Sequence, residues 1–325
     1  MKINAISRGS GQQSSDALRQ LALAAFYQSF PLAPFAEFYS HRGNADTPRK
    51  IDSQFTAGTT RALAGAFTAQ GRTPQFGSTS LKIYGDSVKT DRAYERRGYD
   101  IGSQRAKDLR DFASSLGRFF MDACVNHDGT TLSGNAIIKG MKQLAEDNSR
   151  STVFGSGSDG AELPSGNGNS ERKAQDAFIE QLNAIIADIA GGPDVLVMNG
   201  AMLSRLQSIG RGYMSVQNAT DVFLGKQFTQ FSFNGVPILN AGYAANNSGL
   251  IITSTETQGG AVSNCTSIYA AKFGEEQDLT FATNVGIDCQ DLGAVESQFI
   301  TLLEFDVDSA LLNTKALARL KGIIL

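Results

Sequence analysis

The longest regular pattern of hydrophobic and polar positions lies between Ile101 and Cys124. Apolar residues recur there every three or four positions, which is the spacing of one face of an α-helix. This face consists of Leu109, Phe112, Ala113, Leu116, Phe119, Phe120 and Ala123. A helix of this length measures about 36 Å, since each residue adds about 1.5 Å. The pattern therefore predicts one long helix that acts as a spine.

Before this helix, the pattern predicts an arm rather than a compact domain. Ser15 to Tyr27 has helical spacing, and the two prolines in 30–35, FPLAPF, then favour an extended apolar segment. Residues 40–79 are polar and rich in glycine, and only the stretch from Arg61 to Phe67 favours a short helix. This region offers few residues to a core.

The stretch from Ser80 to Arg97, SLKIYGDSVKTDRAYERR, predicts two short strands around a turn at Gly85-Asp86. Only one thin side of this predicted hairpin is apolar. A two-stranded unit is marginally stable alone in water, because it fixes many backbone torsions and buries little area. We therefore expect it to lie against a partner surface.

A glycine-rich stretch divides the chain into two parts. Gly155 to Ser170, GSGSDGAELPSGNGNS, has little to bury and predicts a flexible surface loop. The second part begins with a predicted helix, Glu171 to Ala190, which ends at Gly191-Gly192-Pro193. Asp194 to Met198 then predicts a buried strand, and Asn199 is placed to cap the short helix that follows.

The remaining pattern predicts strands and one terminal helix. Asn234-Gly235 is a strong hairpin signal, and Pro237 places the second strand of that hairpin near a sheet edge. The predicted strands are 228–233, 236–239, 250–253, 267–273, 279–283 and 298–308, followed by a helix over 309–320. Helices and antiparallel strands thus alternate without a repeating βαβ unit, which predicts an α+β fold.

Composition excludes several classes of protein. The 29 basic and 32 acidic residues nearly cancel, so no overall field attracts nucleic acid or a membrane surface. No apolar stretch approaches the ~20 residues that span a bilayer, and the first residues do not form a signal peptide, so we expect synthesis in the cytoplasm. Three widely spaced cysteines, Cys124, Cys265 and Cys289, favour reduced thiols over disulfides.

No arrangement of residues predicts catalysis. The two histidines, His41 and His127, lack metal-ligand spacing and favour solvated loop positions. The glycines of 155–160 are not followed by the Gly-Lys-Ser/Thr of a phosphate-binding loop. The acidic residues near 275–278 lie in a polar turn instead of pairing across a pocket. We therefore expect neither an enzyme nor a cofactor or metal site.

Charge is segregated along the chain. Residues 72–110 carry nine basic and five acidic side chains, whereas 273–308 carry nine acidic and no basic ones. This predicts two surfaces that meet inside one subunit or between copies, although two independent solvated faces would give the same pattern. The candidate inter-subunit contacts are Lys82, Lys89, Arg92, Arg96, Arg97, Glu275, Glu276 and Asp278.

The order of these parts resembles the major capsid proteins of tailed bacteriophages, the Hong Kong-type capsid fold. The resemblance covers nearly the whole chain and rests on the apolar arm, the long helix, the glycine-rich insertion and several phrases. These phrases are LKIYGDSVKTDRAYERRGYDIGSQ, DVLVMNGAMLSRL, FNGVPILNAG and SQFITLLEFDVDSALLNTKALARLKGI. The most characteristic parts are G-V-P-I-L and A-L-A-R-L-K-G-I.

The resemblance implies five parts and a structural role. These are an N-terminal arm (1–54), an extended β-hairpin loop over an adjacent subunit (55–98), the spine helix and glycine-rich loop of a peripheral domain (99–170), a mainly axial domain (171–290), and a C-terminal strand and helix (291–325). Such a chain would self-assemble through pentamers and hexamers into the icosahedral shell of a virion. It would reside in the host cytoplasm before assembly.

The implied partners are other copies of the chain, a separate scaffolding protein, a portal, a decoration protein, and packaged double-stranded DNA through non-specific contact, with no membrane. Some relatives join a loop lysine to an asparagine of the next subunit, but Lys82 and Lys89 favour ordinary surface charges over a crosslink to Asn313. Three alternatives stay open: an encapsulin-type nanocompartment, a hydrolase with its site near 155–170, and a ligand-binding module on the Asn234-Gly235 hairpin.

Overall fold

A computed structural model describes residues 16–40, 45–46, 49–50, 60–67, 75–76, 79–155, 157–210, 214–220, 227–259, 262–275 and 277–325. Its α-helices are α1 (Asp16–Ser29), α2 (Ala93–Arg96), α3 (Ile101–Asn126), α4 (Met141–Asp147), α5 (Asn169–Ala187) and α6 (Gly200–Ile209). Short 3₁₀ turns span Ala245–Asn247 and Thr314–Ala316. No helix within these ranges is long and apolar enough to cross a membrane.

The strands fall into three chain regions. The first region holds β1 (Phe38–Ser40), β2 (Ala45–Asp46), β3 (Arg49–Lys50), β4 (Gln75–Phe76), β5 (Thr79–Ser80) and β6 (Lys82–Asp91). The middle holds β7 (Thr131–Leu132), β8 (Asn135–Ala136), β9 (Ser151–Val153), β10 (Ala161–Glu162), β11 (Val195–Met198), β12 (Met214–Thr220), β13 (Gln227–Phe233) and β14 (Val236–Asn240). The last holds β15 (Glu256–Gln258), β16 (Val262–Ala271), β17 (Leu279–Thr283), β18 (Ile287–Val295), β19 (Gln298–Leu311) and β20 (Leu317–Ile324).

Two large sheets organise these strands. In the first, β1, β17, β19 and β18 are paired in that order, and β6 adds to β19. We call the three-stranded antiparallel part formed by β6, β19 and β18 the ribbon. In the second sheet the order is β10-β20-β16-β11-β14-β13-β12, with β15 on β16 and β9 on β20. This mixture of helices and mainly antiparallel sheets confirms the predicted α+β class.

The predicted spine helix is confirmed as α3. Asp100 caps its first turn by accepting a hydrogen bond from the Gly102 amide at 3.1 Å. Helix α1 packs along α3, and the backbones approach so closely that a Cβ at Gly117 would lie 2.6 Å from the Phe26 carbonyl oxygen. Glycine is therefore required where the two helices cross.

An aromatic cluster joins the arm, the spine helix and the first sheet. The Phe120 ring lies 5.0 Å from Phe30 and 5.1 Å from Phe305, measured between ring centroids. It also lies 6.1 Å from Phe26 and 5.9 Å from Phe281. All five side chains are buried. A second core lies between the second sheet and α5, and is built around Phe178, Leu182 and Leu196.

The predicted hairpin turn at Asn234-Gly235 and the predicted helix cap at Asn199 are both confirmed. Asn234 and Gly235 both have positive φ, 48° and 83°, as a two-residue turn between antiparallel strands requires. The Asn199 Oδ1 atom accepts a hydrogen bond from the Met202 amide at 2.7 Å and begins α6. However, β14 lies between β11 and β13, so the prediction that Pro237 marks an edge is wrong. Pairing of β14 with β11 starts only after this proline.

The predicted hairpin over 80–97 is wrong. The chain runs straight through Gly85-Asp86 as strand β6, which pairs with β19 from Lys82 opposite Val307 to Asp91 opposite Gln298. A Cβ at Gly85 would collide with the Leu303 carbonyl oxygen. The glycine therefore allows two strands to approach closely, and the sequence analysis misread it as a turn.

The predicted terminal helix is also wrong. Strand β19 continues to Leu311, a 3₁₀ turn follows, and the last residues form β20. Strand β20 lies inside the second sheet and is buried on both faces, because α4 contacts it on one side and α5 on the other. A strand buried in this way shows a continuous apolar run, which periodicity alone does not distinguish from a helix.

Three smaller predictions need correction. The glycine-rich stretch 155–170 is not simply a flexible loop, because Ala161–Glu162 pairs with β20 and Leu163 is fully buried. The predicted strand at 250–253 is limited to one bridge between Tyr243 and Leu250. The stretch from Arg61 to Phe67 forms a turn rather than a helix. The boundaries of the five predicted parts stay predictions.

Candidate assembly surface

Strands β2, β3, β4 and β5 belong to one extended hairpin. Ala45 pairs with Ser80 and Asp46 with Thr79, and 49–50 pair with 75–76. All four pairs share a single register, because the residue numbers of each pair add to the same value. The midpoint of that register falls between residues 62 and 63, inside the described segment 60–67. We call this segment the hairpin tip.

The hairpin tip has a fixed shape and an apolar surface. The Gly65 amide donates to the Ala62 carbonyl at 3.0 Å. The Arg61 guanidinium donates to the Gly65 carbonyl at 3.1 Å and lies 5.4 Å from the centre of the Phe67 ring. Leu63 is fully exposed and Phe67 is 63% exposed. The tip therefore offers two large apolar side chains and one cation that this subunit leaves uncovered.

Strand β6, in contrast, finds its partner within the subunit. Besides pairing with β19, it contacts α3 and the segment before α4 through side chains on its inner face. The Tyr84 hydroxyl accepts a hydrogen bond from the Ile138 amide at 3.0 Å, and the Thr90 hydroxyl donates to Asp108 at 2.6 Å. The partner surface expected for 80–97 is thus largely intramolecular, whereas the hairpin tip has none among the described residues.

His127 takes part in the inner contact of β6. Its Nδ1 lies 3.3 Å from the Tyr84 hydroxyl, and its ring stacks on that of Tyr84 at 6.2 Å. Partial burial lowers the pKa of His127, which favours the neutral ring, whose unprotonated nitrogen can accept a hydrogen bond from the tyrosine hydroxyl. The expectation of a merely solvated histidine is therefore corrected for His127, and His41 lies outside the described residues.

The oppositely charged segments meet inside one subunit. Lys82 Nζ lies 2.8 Å from Asp308 Oδ1, and Arg105 Nη2 lies 2.6 Å from Asp291 Oδ1. Arg105 also donates to the Thr301 hydroxyl at 3.1 Å. These pairs join β6 and α3 to the acidic strands of the ribbon. The alternative in which the two charged surfaces meet inside one subunit is thereby confirmed.

Two of the candidate contact residues are used within the subunit. Lys82 is bound to Asp308, and Asp278 is buried, where its carboxylate accepts a hydrogen bond from Asn313 at 2.8 Å and lies 3.6 Å from Lys272 Nζ. Both charges thus have partners within the subunit, and an inter-subunit role for these two side chains stays a prediction.

The other candidates occupy separate surfaces. Exposed positions are held by Lys89, Arg92, Arg96, Arg97 and Glu275. Lys89 lies near the end of β6, Arg96 lies in α2, and Arg92 and Arg97 flank that helix, whereas Glu275 lies in the turn before β17, so this subunit does not bring them together. Glu276 lies outside the described residues. An inter-subunit role for the exposed residues stays a prediction.

The ribbon also has an outer face that sequence reasoning missed. Directly opposite residues of neighbouring strands point to the same face of a sheet. Ile83 is opposite Asp306, and Glu304 is opposite both Gly85 and Asp288. Ile83 is 71% exposed. The only sequence signal for this face was the alternation of side chains along β19, and such alternation does not reveal which face of a strand is left uncovered.

Asp306 on this outer face gives a pH-dependent prediction. Burial raises the pKa of its carboxyl, so folding disfavours the ionised form at neutral pH. This cost is removed as the pH falls through the raised pKa towards the ordinary aspartate value of ~3.9. We expect Asp306→Asn to raise the urea midpoint of the isolated subunit at pH 7, and the gain to shrink on acidification. Parallel pH profiles for parent and variant would contradict this.

The described ranges do not bring three or more histidine, cysteine, aspartate or glutamate side chains together as a metal site. The cysteines are free and buried. Burial raises the pKa of the Cys289 thiol to about 11 and that of Cys124 well above its ordinary value, which disfavours the reactive thiolate. The most distinctive surfaces are therefore the hairpin tip and the outer face.

Comparison with solved structures identifies proteins that share this arrangement. The holo-SrpI encapsulin complex from Synechococcus elongatus PCC 7942 matches with a TM-score of 0.59 and 12% identity over 97% of both chains. The satellite phage P4 procapsid, which includes the size determination protein, matches with a TM-score of 0.55 and 10% identity over 94% of this chain and 100% of the other. The capsid of the native GTA particle matches with a TM-score of 0.54 and 14% identity over 91% of this chain and 90% of the other.

These similarities span nearly the whole of each chain, and at such low identity they show the fold alone. No model of a protein family matches the chain, and no curated protein matches it. The predicted resemblance to a shell-forming fold is confirmed at the level of structure.

Proposed function

We propose, on the premise that the chain has the Hong Kong-type capsid fold, that it is a structural subunit that assembles with copies of itself into a closed shell. The solved proteins of the same fold include a procapsid, a capsid and an encapsulin complex. The proposal assigns the chain no catalytic activity.

The observation that carries the proposal is the uncovered hairpin tip. Burying a leucine or phenylalanine side chain stabilises by about 1.5–3 kcal/mol relative to leaving it in water. A turn that exposes both Leu63 and Phe67 gains this energy only from another surface. In a shell a neighbouring copy would supply that surface for every subunit, so the same contact would be repeated throughout the assembly.

The main candidate is a phage-type shell around double-stranded DNA. The phage P4 procapsid and the GTA capsid support it through their fold. DNA would contact the inner wall through diffuse charge, since the net charge of the chain is only −3. Such a subunit would pass from the host cytoplasm into the virion, and would act with a scaffolding protein, a portal and, where one exists, a decoration protein.

The second candidate is an encapsulin-type compartment. The encapsulin match covers 97% of both chains, so no large insertion or deletion separates the two folds. Purified shells would distinguish the candidates through their contents. Nuclease-resistant DNA and neighbouring genes for a portal, terminase and protease support the phage shell. A protein cargo with a neighbouring peroxidase or ferritin-like gene supports the compartment.

The proposal is tested by expressing the chain alone and with candidate scaffolding proteins. We expect closed particles of uniform size in negative-stain electron microscopy, and elution far ahead of a 34.6 kDa monomer in gel filtration. A chain that remains monomeric at high concentration under every co-expression would overturn the shell.

A variant of the hairpin tip tests the observation itself. Leu63→Asp combined with Phe67→Asp replaces both apolar side chains by charges that cannot be buried unpaired. We expect a folded subunit with an unchanged circular dichroism spectrum and no closed particles. The matched control is Leu63→Met with Phe67→Tyr, which keeps the apolar area and should still assemble. Normal particles from the double aspartate variant would remove the tip from the assembly surface.

A further inference from the structure

Three polar side chains from the ends of three strands meet at one buried carboxylate, that of Asp278. Its Oδ1 atom accepts a hydrogen bond from Asn313 Nδ2 at 2.8 Å, and its Oδ2 atom lies 3.6 Å from Lys272 Nζ. Asp278 itself is only 8% exposed. A lysine amine and a side-chain amide are thus held at the two oxygens of the same carboxylate.

Backbone hydrogen bonds fix the position of this cluster. The Lys272 amide donates to the Ala316 carbonyl at 2.8 Å, and the Leu312 amide donates to the Asp278 carbonyl at 2.9 Å. Lys272 Nζ donates to the Ala190 carbonyl at 2.7 Å, which keeps the long side chain over the cluster. Groups that are positioned in this way react as if they were present at a very high local concentration.

The side-chain carbonyl of Asn313 is polarised by a backbone donor. Its Oδ1 atom accepts a hydrogen bond from the Lys315 amide at 3.0 Å, so the Nδ2 atom is directed at Asp278. A backbone N–H in this position stabilises the negative charge that develops on a carbonyl oxygen during nucleophilic attack. The cluster therefore contains a nucleophile, a polarised carbonyl group and a group that exchanges protons with both.

We propose that Lys272 and Asn313 form an isopeptide bond within one subunit, with Asp278 as the acid and base. A proton passes from the Lys272 ammonium to Asp278, and the neutral Nζ leaves the Ala190 carbonyl and attacks Asn313 Cγ. The electron pair of the carbonyl double bond moves to Oδ1. Asp278 then protonates Nδ2 and takes the extra proton from Nζ, the Cγ–Nδ2 bond breaks, and ammonia leaves as the carbonyl re-forms. One ammonium group and one primary amide thus become a secondary amide and an ammonium ion.

The bond joins the two large sheets. Lys272 follows β16 of the second sheet, and Asn313 follows β19 of the first. The link closes a loop of chain that contains β17, β18 and β19, which restricts the unfolded chain and so stabilises the folded one. It lies within one subunit and uses neither Lys82 nor Lys89. The reaction occurs once per chain and takes no external substrate, so it goes beyond the proposed shell and does not depend on it.

Intact-mass spectrometry of the denatured parent chain tests the bond. We expect most chains to be lighter than the sequence by the mass of one ammonia molecule, and a tryptic digest to contain a branched peptide that joins Lys272 to Asn313. Unassembled subunits and dissolved particles should both show it. A parent chain that keeps its full mass after prolonged incubation in either form overturns the bond. Failure to form particles refutes only the shell, because the mass is measured on single chains.

Two variants separate this bond from other losses of ammonia. Lys272→Arg keeps the positive charge beside Asp278 but removes the amine, so the loss of ammonia should disappear. Asp278→Asn keeps both reacting side chains and should form the bond at least about a hundredfold more slowly, since a positioned acid and base contribute about 10²–10⁴-fold. A loss that persists in Lys272→Arg arises elsewhere and overturns the bond. A parent-like rate in Asp278→Asn overturns the role of that carboxylate.

The matched control is an exposed cluster of the same three kinds of group. Lys139 Nζ lies 2.7 Å from Asp147 Oδ2, and Gln143 Nε2 donates to Asp147 Oδ1 at 2.7 Å. The lysine and aspartate side chains are 50% and 36% exposed, so water competes for both. Lys139→Arg should leave the loss of ammonia unchanged. If the loss disappears in this variant, the reaction belongs to the exposed cluster and the assignment to Lys272 and Asn313 is overturned.

Discussion

Replacement of Phe120 by alanine is expected to destabilise the isolated subunit by about 3–5 kcal/mol, the usual loss for a large aromatic side chain removed from a packed core. The ring is fully buried and lies at the point where the arm, the spine helix and the first sheet meet. Its centroid is 5.0 Å from Phe30 on the arm and 5.1 Å from Phe305 on β19. The truncation therefore weakens three elements at once.

The position of Phe120 also predicts an effect of its replacement on assembly. Strand β6 rests on β19 and, through Tyr84, on Phe120, whose ring centroid is 6.0 Å away. The extended hairpin continues directly into β6, so its direction depends on how firmly this strand is packed. We expect shells of Phe120→Ala to form poorly even at temperatures where the subunit is still folded.

Urea unfolding of the unassembled subunit checks the expected destabilisation of about 3–5 kcal/mol in Phe120→Ala. The matched control is Phe67→Ala, which removes the same side chain from an exposed position and should change subunit stability by less than about 0.5 kcal/mol. The two variants thus separate loss of stability from loss of assembly contact. A destabilisation below about 1 kcal/mol in Phe120→Ala would contradict this expectation, because it would mean that the core closes around the gap.

Periodicity was enough to predict elements that have one buried and one open face. Helix α3 was predicted because Leu109, Leu116 and Phe120 follow helical spacing. The hairpin at Asn234-Gly235 was predicted from local backbone chemistry alone. In each case the information lies within a few neighbouring residues.

The wrong predictions share a non-local cause. Strand β20 is buried on both faces by α4 and α5, which are distant in sequence, so it lacks the alternation of a half-buried strand. Gly85 was read as a turn, yet it is needed because β19, more than two hundred residues away in sequence, passes close to its backbone. Local patterns contain no record of such distant contacts.

The sequence predicted that oppositely charged segments meet, but it did not predict the individual ion pairs or the exposed outer face, because these also depend on distant contacts. Charge segregation correctly indicated that basic and acidic segments meet, but only coordinates assign Asp308 to Lys82 and Asp291 to Arg105. The outer face could not be recognised, because a side chain that awaits another copy has the same sequence pattern as one packed in its own subunit. Exposure in the folded monomer is what distinguishes Ile83 from Tyr84.

Arg319 is the other position where one substitution is expected to have a large effect. Its side chain is 3% exposed on β20. The guanidinium lies 2.6 Å from Glu146 and 3.0 Å from Glu256, donates to the Ser267 hydroxyl, and covers the Tyr269 ring at 5.5 Å. This ion cluster joins α4 and β15 to the centre of the second sheet.

Arg319→Met keeps most of the volume and removes the charge. Glu256 is then left largely buried with the Ser267 hydroxyl as its remaining polar contact, and loss of one partner of a buried pair typically costs about 3–5 kcal/mol. We expect that loss in urea unfolding at pH 7. Since an unpaired buried carboxylate takes up a proton more readily, part of the loss should be recovered as the pH is lowered towards 5.

The cause of that loss is tested by adding Glu256→Gln to Arg319→Met. If the uncompensated carboxylate dominates, the double variant is more stable than the single one at pH 7, and its pH dependence is flatter. Arg96→Met, an exposed arginine, is the control and should change stability by less than about 0.5 kcal/mol. If the double variant is as unstable as Arg319→Met, the arginine acts mainly through packing of its stem on Tyr269, and the electrostatic account of this joint is refuted.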